Sequence, residues 1–114
     1  MVSDYEVILP TFNGEKFLLS QLESIGNQSL SPARIIISDD GSSDSTLSII
    51  HQWSMRNHVP VTLLPNDSQR LGSCKNFEKL LAYSSADYVM QFVSHHCKGV
   101  QFGFDILEIL CRAP

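Results

Sequence analysis

Short apolar runs alternate along the chain with segments in which apolar residues recur at helical spacing. Residues 35–37 are all isoleucine, and a strand that is apolar on both faces is typical of a parallel sheet covered by helices. After it, Leu47, Ile50 and Trp53 form one helical stripe. Four such runs predict β-strands, near residues 5–10, 34–39, 60–64 and 87–93. The alternation predicts an α/β fold with three layers, α/β/α, around a mostly parallel sheet.

The end of the chain does not continue this pattern. Phe104 to Cys111 has the spacing of one amphipathic helix, and residues 94–114 are expected to form a diverged tail. No linker or repeat divides residues 1–93, which are expected to form one cooperative unit. Together with the tail, residues 1–114 are expected to form a single, truncated domain.

Composition is typical of a soluble globular protein and excludes several kinds of partner. The formal net charge is -4, with 8 basic against 12 acidic residues, so we expect no nucleic-acid partner. No apolar run approaches a membrane span, and the first residues lack the pattern of a signal peptide. These features predict a cytoplasmic protein, either free or peripheral to the inner face of the membrane. Three widely spaced cysteines predict neither disulfides nor a paired-cysteine metal site.

An acidic pair, Asp39-Asp40, closes the second predicted strand. Ligands of open α/β sheets bind at the carboxyl ends of the strands. Adjacent strand residues point to opposite faces, so we expect one of the two carboxylates to contact a ligand and the other to bind the loop or cap a helix. The pair therefore predicts a nucleotide-type site. For Gly41 to Asp44 a plain turn, with Ser43 or Asp44 as helix N-cap, is the simpler interpretation.

The first predicted strand ends at the same edge of the sheet. It runs through Pro10, Thr11 and Phe12 and turns at Asn13-Gly14 into a helix, which exposes backbone N–H groups toward that edge. A turn that binds no ligand explains this segment equally well when it is taken alone.

Taken together, the motifs resemble the nucleotide-sugar half of inverting family 2 glycosyltransferases, which have a Rossmann-like GT-A fold. The matching segments are 7–14, 28–30, 36–46 and 72–77, followed by 86–90. Bacterial members that build surface polysaccharides, including rhamnosyl transferases, are the most similar. The resemblance implies hexosyl or rhamnosyl transfer from a UDP- or dTDP-linked sugar to a saccharide or lipid-linked acceptor.

The resemblance also implies a set of nucleotide-binding residues. Asp40 would accept a hydrogen bond from the nucleobase, and Asn13 would hold the turn. Arg70 or Lys75 would approach the diphosphate, although a solvated surface cation is the simpler interpretation of each. The full predicted set is Pro10, Thr11, Phe12, Asn13, Asp39, Asp40, Gly41, Arg70 and Lys75. No catalytic residue is assigned.

The chain departs from the family where a metal is expected. Such enzymes follow the fourth strand with a D-x-D-type motif that holds Mg²⁺ or Mn²⁺ on the sugar diphosphate, but residues 91–99 contain no acid. No metal ligand is therefore predicted. His95, His96 and Cys97 offer at most two zinc ligands on one face of an extended segment, too few for a tetrahedral site.

Two alternatives come from other classes of protein. A truncated, non-catalytic remnant would bind nucleotide or a partner without transferring sugar, because the acceptor half of the family normally lies beyond this length. Apolar surface left by a missing half would then favour a homo-oligomer. A phosphoacceptor receiver domain fits less well, because its acidic pair follows the first strand and not the second.

Overall fold

In the part of the chain that the structure describes, the alternating pattern forms five strands of one sheet and three helices. The computed structural model describes residues 5–66, 70–84, 88–92 and 107–111. The elements are β1 (Tyr5–Thr11), α1 (Leu18–Gly26), β2 (Ile35–Asp39), α2 (Thr46–Arg56), β3 (Val61–Leu63), α3 (Ser73–Tyr83), β4 (Tyr88–Phe92) and β5 (Leu107–Cys111). All four predicted strands are present.

The strands form one five-stranded sheet in the order β3-β2-β1-β4-β5. The first four are parallel, with Val7 opposite Ile35 between β1 and β2 and opposite Met90 between β1 and β4. This arrangement confirms the predicted α/β class. It also brings the carboxyl ends of β1 and β2 side by side, where the acidic pair lies.

Helices cover the sheet on both faces and complete the three layers. Strand alternation sends Val7 and Ile37 to the face covered by α1 and α2, and sends Ile8 and Ile36 to the face covered by α3. The helices contribute Leu22 and other apolar stripe residues to these two cores. In the ranges described here, no helix is long and apolar enough to cross a membrane.

The prediction of a helix over 104–111 is wrong for the part that the structure describes. Leu107–Cys111 forms β5 and pairs antiparallel with β4, with Ile109 opposite Met90. The outer edge of β4 offers a row of backbone N–H and C=O groups, and an added strand pairs them. A helix this short is marginal by itself, so tertiary pairing decides the outcome. Residues 93–106, with the candidate zinc ligands His95, His96 and Cys97, lie outside the described residues.

A buried carboxylate ties the elements together at the opposite end of the sheet. Glu6 accepts a hydrogen bond from Ser84 Oγ at 2.5 Å and pairs with Arg34 Nε at 2.6 Å. The guanidinium of Arg34 lies 5.3 Å from the ring centroid of Tyr83. The hydrogen bond to Glu6 raises the pKa of Arg34, so the guanidinium stays charged. This contact joins β1, the start of β2 and the end of α3 away from the acidic pair.

The central position of Ile36 gives a test of the fold. Its side chain is fully buried between β2 and α3, so Ile36→Ala should cost about 2–5 kcal/mol of unfolding free energy through lost burial and a cavity. Urea denaturation followed by circular dichroism measures this loss. Met55 is 85% exposed, and Met55→Ala is the matched control. Equal losses for the two variants would contradict the described core.

Candidate functional site

The candidate site lies at the carboxyl ends of β1 and β2. Thr11 and Asp39 are opposite each other in the register of the two strands. The Thr11 hydroxyl donates to Asp39 Oδ1 at 2.7 Å, and the N–H of Asp40 donates to the Thr11 carbonyl at 2.9 Å. The two strand ends are therefore fixed to each other before any loop begins.

Asp39 organises the loop that follows β2. Its Oδ2 accepts the N–H groups of Gly41 and Ser42 at 3.1 and 2.8 Å, and its Oδ1 accepts the Ser42 hydroxyl at 2.6 Å. Gly41 has φ +92°, a left-handed conformation that favours glycine, and this turn folds the loop back over the carboxylate. Asp39 thus points into its own loop.

Asp40 points to the next loop. Its Oδ1 accepts the N–H of Leu71 at 2.7 Å and its Oδ2 accepts the N–H of Gly72 at 2.9 Å. Arg70 Nε lies 3.5 Å from Oδ2. The Asp40 side chain is 4% exposed, while that of Arg70 is 60% exposed. The carboxylate therefore lies in the floor of the site and the guanidinium at its rim.

Arg70 also contacts the first loop through an aromatic ring. Its guanidinium carbon lies 3.7 Å from the ring centroid of Phe12, a close cation–π contact. Phe12, Arg70 and Asp40 come from three separate loops. We call the site formed by these three residues the cleft, with Phe12 as its wall, the exposed Arg70 as its rim and the buried Asp40 as its floor.

The loop after β1 is hydrogen-bonded to the loop after β2. The N–H groups of Asn13 and Gly14 donate to Ser42 Oγ at 2.8 Å and to Thr46 Oγ1 at 3.0 Å. In return Asn13 Oδ1 accepts the N–H of Ser43 at 2.8 Å. Asn13 reaches this position with φ +48°, which asparagine tolerates better than most residues. The predicted row of N–H groups exists, and it binds protein side chains.

Asp44 and Glu15 extend this contact reciprocally. The N–H of Glu15 donates to Asp44 Oδ2 at 3.2 Å, and the N–H of Ser45 donates to Glu15 Oε2 at 3.3 Å. Asp44 Oδ1 also accepts the N–H and the hydroxyl of Thr46 at 2.9 and 2.5 Å. Asp44, which the sequence allowed as an N-cap, therefore binds the first turn of α2 and the preceding loop together.

The structure brings most of the predicted site residues together. Thr11, Phe12, Asn13, Asp39, Asp40, Gly41 and Arg70 line or hold the cleft. Pro10 is buried within β1 opposite Ser38, one residue back from the strand end. Lys75 is exposed on α3 beside the inward-facing Asn76. The nucleotide contacts of all the predicted site residues remain predictions.

Two asparagines that the sequence analysis missed also shape the site. Asn66 Nδ2 donates to the carbonyl of Asp39 at 3.0 Å. Asn76, on α3, exchanges two hydrogen bonds with Ser38 at 2.6 and 2.8 Å. Both contacts join segments far apart in the chain, so no local spacing indicates them. A polar residue in the apolar stripe of α3 is the one available signal for Asn76.

The described carboxylates do not fit a divalent cation. The oxygens of Asp39, Asp40 and Asp44 accept protein hydrogen bonds and are directed into separate loops. In the part of the chain that the structure describes, no three His, Cys, Asp or Glu side chains are grouped to hold a metal. Mg²⁺ and Mn²⁺ prefer converging oxygen ligands, which this edge does not present.

Comparisons with known proteins identify related sequences and structures. The sequence pattern that defines glycosyl transferase family 2 matches residues 6–97. The dTDP-rhamnosyl transferase RfbG of Shigella flexneri is 36% identical over 73 residues, which are 64% of this chain and 25% of RfbG. The poly(ribitol-phosphate) β-N-acetylglucosaminyltransferase TarS of Staphylococcus aureus is 29% identical over 94 residues. The chain covers 16% of TarS, so it spans a quarter or less of either relative.

Solved structures share the fold. The crystal structure of S. aureus TarS 1–349 in complex with UDP-GlcNAc superposes with a TM-score of 0.62 at 28% identity, covering 82% of this chain and 26% of that one. The mannosyltransferase PcManGT of Pyrobaculum calidifontis, in complex with GDP-Man and Mn²⁺, gives a TM-score of 0.71 at 22% identity. The latter match covers 82% of this chain and 28% of PcManGT, and it supports the fold alone.

The contacts of Asp44 predict a pH-dependent stability. Desolvation acts to raise the pKa of Asp44, but hydrogen bonds from the Thr46 hydroxyl and from backbone N–H groups outweigh it, so the pKa lies below the ordinary 3.8. Because the pKa of Asp44 is lower in the folded chain than in the unfolded chain, its ionised carboxylate stabilises the fold at pH values above the unfolded pKa. This stabilisation is lost as the pH falls through the folded pKa.

We therefore expect Asp44→Asn to melt at a lower temperature than the wild type at neutral pH and the difference to shrink below pH 3.8. Melting curves between pH 7 and pH 2.5 measure it, in steps of about half a unit. Ser43→Ala, which keeps the N–H that binds Asn13, is the control. A deficit for Asp44→Asn that grows as the pH falls would contradict the described contacts.

Proposed function

The chain belongs to glycosyl transferase family 2, and from that membership we propose that it binds the nucleotide of a nucleotide-diphospho-sugar donor. The sugar is then transferred to a saccharide or lipid-linked acceptor in the biosynthesis of a bacterial surface polysaccharide. The dTDP-rhamnosyl transferase and the TarS complex with UDP-GlcNAc support a UDP- or dTDP-linked donor. The proposed reaction is transfer of a hexosyl or rhamnosyl group with inversion at the anomeric carbon.

The observation that carries the proposal is the direction of the Asp40 carboxylate. It lies buried at the carboxyl end of β2, where open α/β sheets bind their ligands. An ionised carboxylate has about four acceptor positions, and the N–H groups of Leu71 and Gly72 occupy two of them. Arg70 Nε lies 3.5 Å from Oδ2, so the second acceptor position of Oδ1 is the one that suits the ring N–H shared by uracil and thymine.

The neighbours of Asp40 suit the rest of such a base. The ring of Phe12 offers an apolar face, and the guanidinium of Arg70 offers donors for a base carbonyl or a phosphate oxygen. Since Arg70 is mostly exposed, moving it from the Phe12 ring toward a ligand desolvates little. Thr11 and Asn13 hold the wall that carries Phe12. Pro10, Asp39 and Gly41 support the strand ends, and Lys75 supplies a second cation near α3.

These residues bind and orient the donor, and the proposed chemistry takes place at the sugar. An acceptor hydroxyl attacks the anomeric carbon, a general base takes its proton, and the bond from that carbon to the diphosphate breaks. A fixed nucleotide presents the anomeric carbon in one orientation, which lowers the entropic cost of the attack. No step is assigned to a metal, because the described carboxylates do not fit one.

Nucleotide binding without transfer is the second candidate. The two carboxylates at the carboxyl end of β2, Asp39 and Asp40, are both engaged in holding loops. In this case the chain binds UDP or dTDP through the same cleft and acts as a binding module. Release of nucleoside diphosphate from a nucleotide-sugar by the purified chain separates the two candidates.

Removing the Asp40 carboxylate tests the proposed binding role. Asp40→Ala should weaken UDP or dTDP binding by about 1–3 kcal/mol, which is the cost of losing a hydrogen bond to a charged group. Isothermal titration calorimetry measures the dissociation constants. Glu78→Gln, exposed on α3, is the control. Wild-type affinity in Asp40→Ala, with weakened binding in Asp39→Ala, would reverse the assigned roles of the two carboxylates.

The metal dependence of binding gives a separate test. Because the described carboxylates are engaged, we expect Mn²⁺ to change the UDP dissociation constant by less than about twofold, unlike a site in which the metal bridges protein and diphosphate. Titrations with and without Mn²⁺ measure this ratio. A large gain in affinity with Mn²⁺ that is lost on changing His95 and His96 to alanine would show a metal site beyond the described residues.

A further inference from the structure

A closed ring of hydrogen bonds connects the end of β2 with the start of α3. Asn76 Nδ2 donates to the Ser38 carbonyl at 2.8 Å, and Asn76 Oδ1 accepts the Ser38 hydroxyl at 2.6 Å. The N–H of Asn76 donates to the carbonyl of Gly72 at 3.0 Å. The N–H of Gly72 donates to Asp40, two residues beyond Ser38. The ring therefore returns to the strand on which it begins.

The position occupied by Asn76 requires both a donor and an acceptor. Asn76 is 2% exposed and Ser38 is fully buried, so water does not replace a missing partner. An aspartate of the same shape accepts the Ser38 hydroxyl but, when ionised, has no hydrogen to give to the Ser38 carbonyl. An apolar residue satisfies neither group. The amide is therefore specific to this contact.

The ring determines where the segment before α3 lies. Gly72 has φ +87° and precedes the helix, so the chain turns sharply there and directs the N–H groups of Leu71 and Gly72 at Asp40. Arg70 comes directly before these two residues. The place from which its side chain reaches Phe12 and Asp40 thus depends on how the segment is anchored.

We propose that Asn76 is a positioning residue for nucleotide recognition: it fixes the segment Arg70 to Gly72 against the end of β2 and so places Arg70 over the cleft. Asn76 itself contacts no nucleotide in this proposal, which rests on the proposed nucleotide-binding function. Its effect on binding is carried by Arg70, and that distinguishes it from a residue that only stabilises the fold.

A double-mutant cycle on nucleotide binding tests this. The variants are Asn76→Asp, Arg70→Ala and the pair, with Glu78→Gln as the control on the exposed face of α3. Each single change should weaken UDP binding about five- to tenfold. The double variant should bind UDP no more weakly than Arg70→Ala alone, because both changes remove the same contribution of Arg70. If the affinity losses of the two single variants multiply in the double variant, the two residues act independently and the proposal is overturned.

Hydrogen exchange gives a second readout that needs no ligand. In Asn76→Asp the amide protons of Leu71 and Gly72 should exchange at least about tenfold faster than in Glu78→Gln, since the segment loses its anchor. Unchanged exchange at these two amides would overturn the proposal. Ser38→Ala removes the hydroxyl but keeps the backbone carbonyl, so it gives the same comparison, with a smaller expected change, if Asn76→Asp does not fold.

The two readouts separate the possible failures. If the wild-type chain binds neither UDP nor dTDP, the proposed function fails and the recognition role of Asn76 fails with it, whatever the exchange rates. If the wild type binds but Leu71 and Gly72 exchange at control rates in Asn76→Asp, only the positioning role is overturned.

Discussion

The buried carboxylate of Asp39 is the interaction on which the rest of the site depends. It is 5% exposed and accepts four hydrogen bonds, one from the Thr11 hydroxyl and three from its own loop. A buried charge is tolerated only where donors replace its water, and here the donors come from two elements. Asp39 thereby joins β1 to the loop after β2. Its engagement leaves the neighbouring Asp40 to face the opposite side of the strand.

At this edge of the sheet the backbone N–H groups bind protein side chains and not a ligand, as the following contacts show. In many nucleotide-binding folds the N–H groups at the start of the first helix hold phosphate. Here the N–H groups of Asn13, Gly14 and Glu15 are bonded to side chains of the loop after β2 and of the first residue of α2. The two loops therefore form one wall, and the Phe12 ring and the Asp40 carboxylate both contact Arg70 beside it.

The sequence predicts well what depends on near neighbours in the chain. The four parallel strands follow from apolar runs, and the opposite directions of Asp39 and Asp40 follow from strand alternation. Contacts between segments far apart in the chain cannot be predicted in this way. The Glu6–Arg34 pair and the Ser38–Asn76 pair join residues whose spacing carries no pattern. The strand β5 was predicted as a helix because its partner, β4, is a tertiary neighbour that local periodicity does not reveal.

The place of β1 in the middle of the sheet has a consequence for synthesis on the ribosome. One edge of β1 pairs with β2, which emerges soon afterwards, but the other pairs with β4, beginning with Tyr5 opposite Tyr88. Until β4 leaves the exit tunnel, β1 has one edge without a backbone partner. During that time α3 packs on a sheet that still lacks β4. Such long-range pairing slows folding and exposes the nascent chain to aggregation.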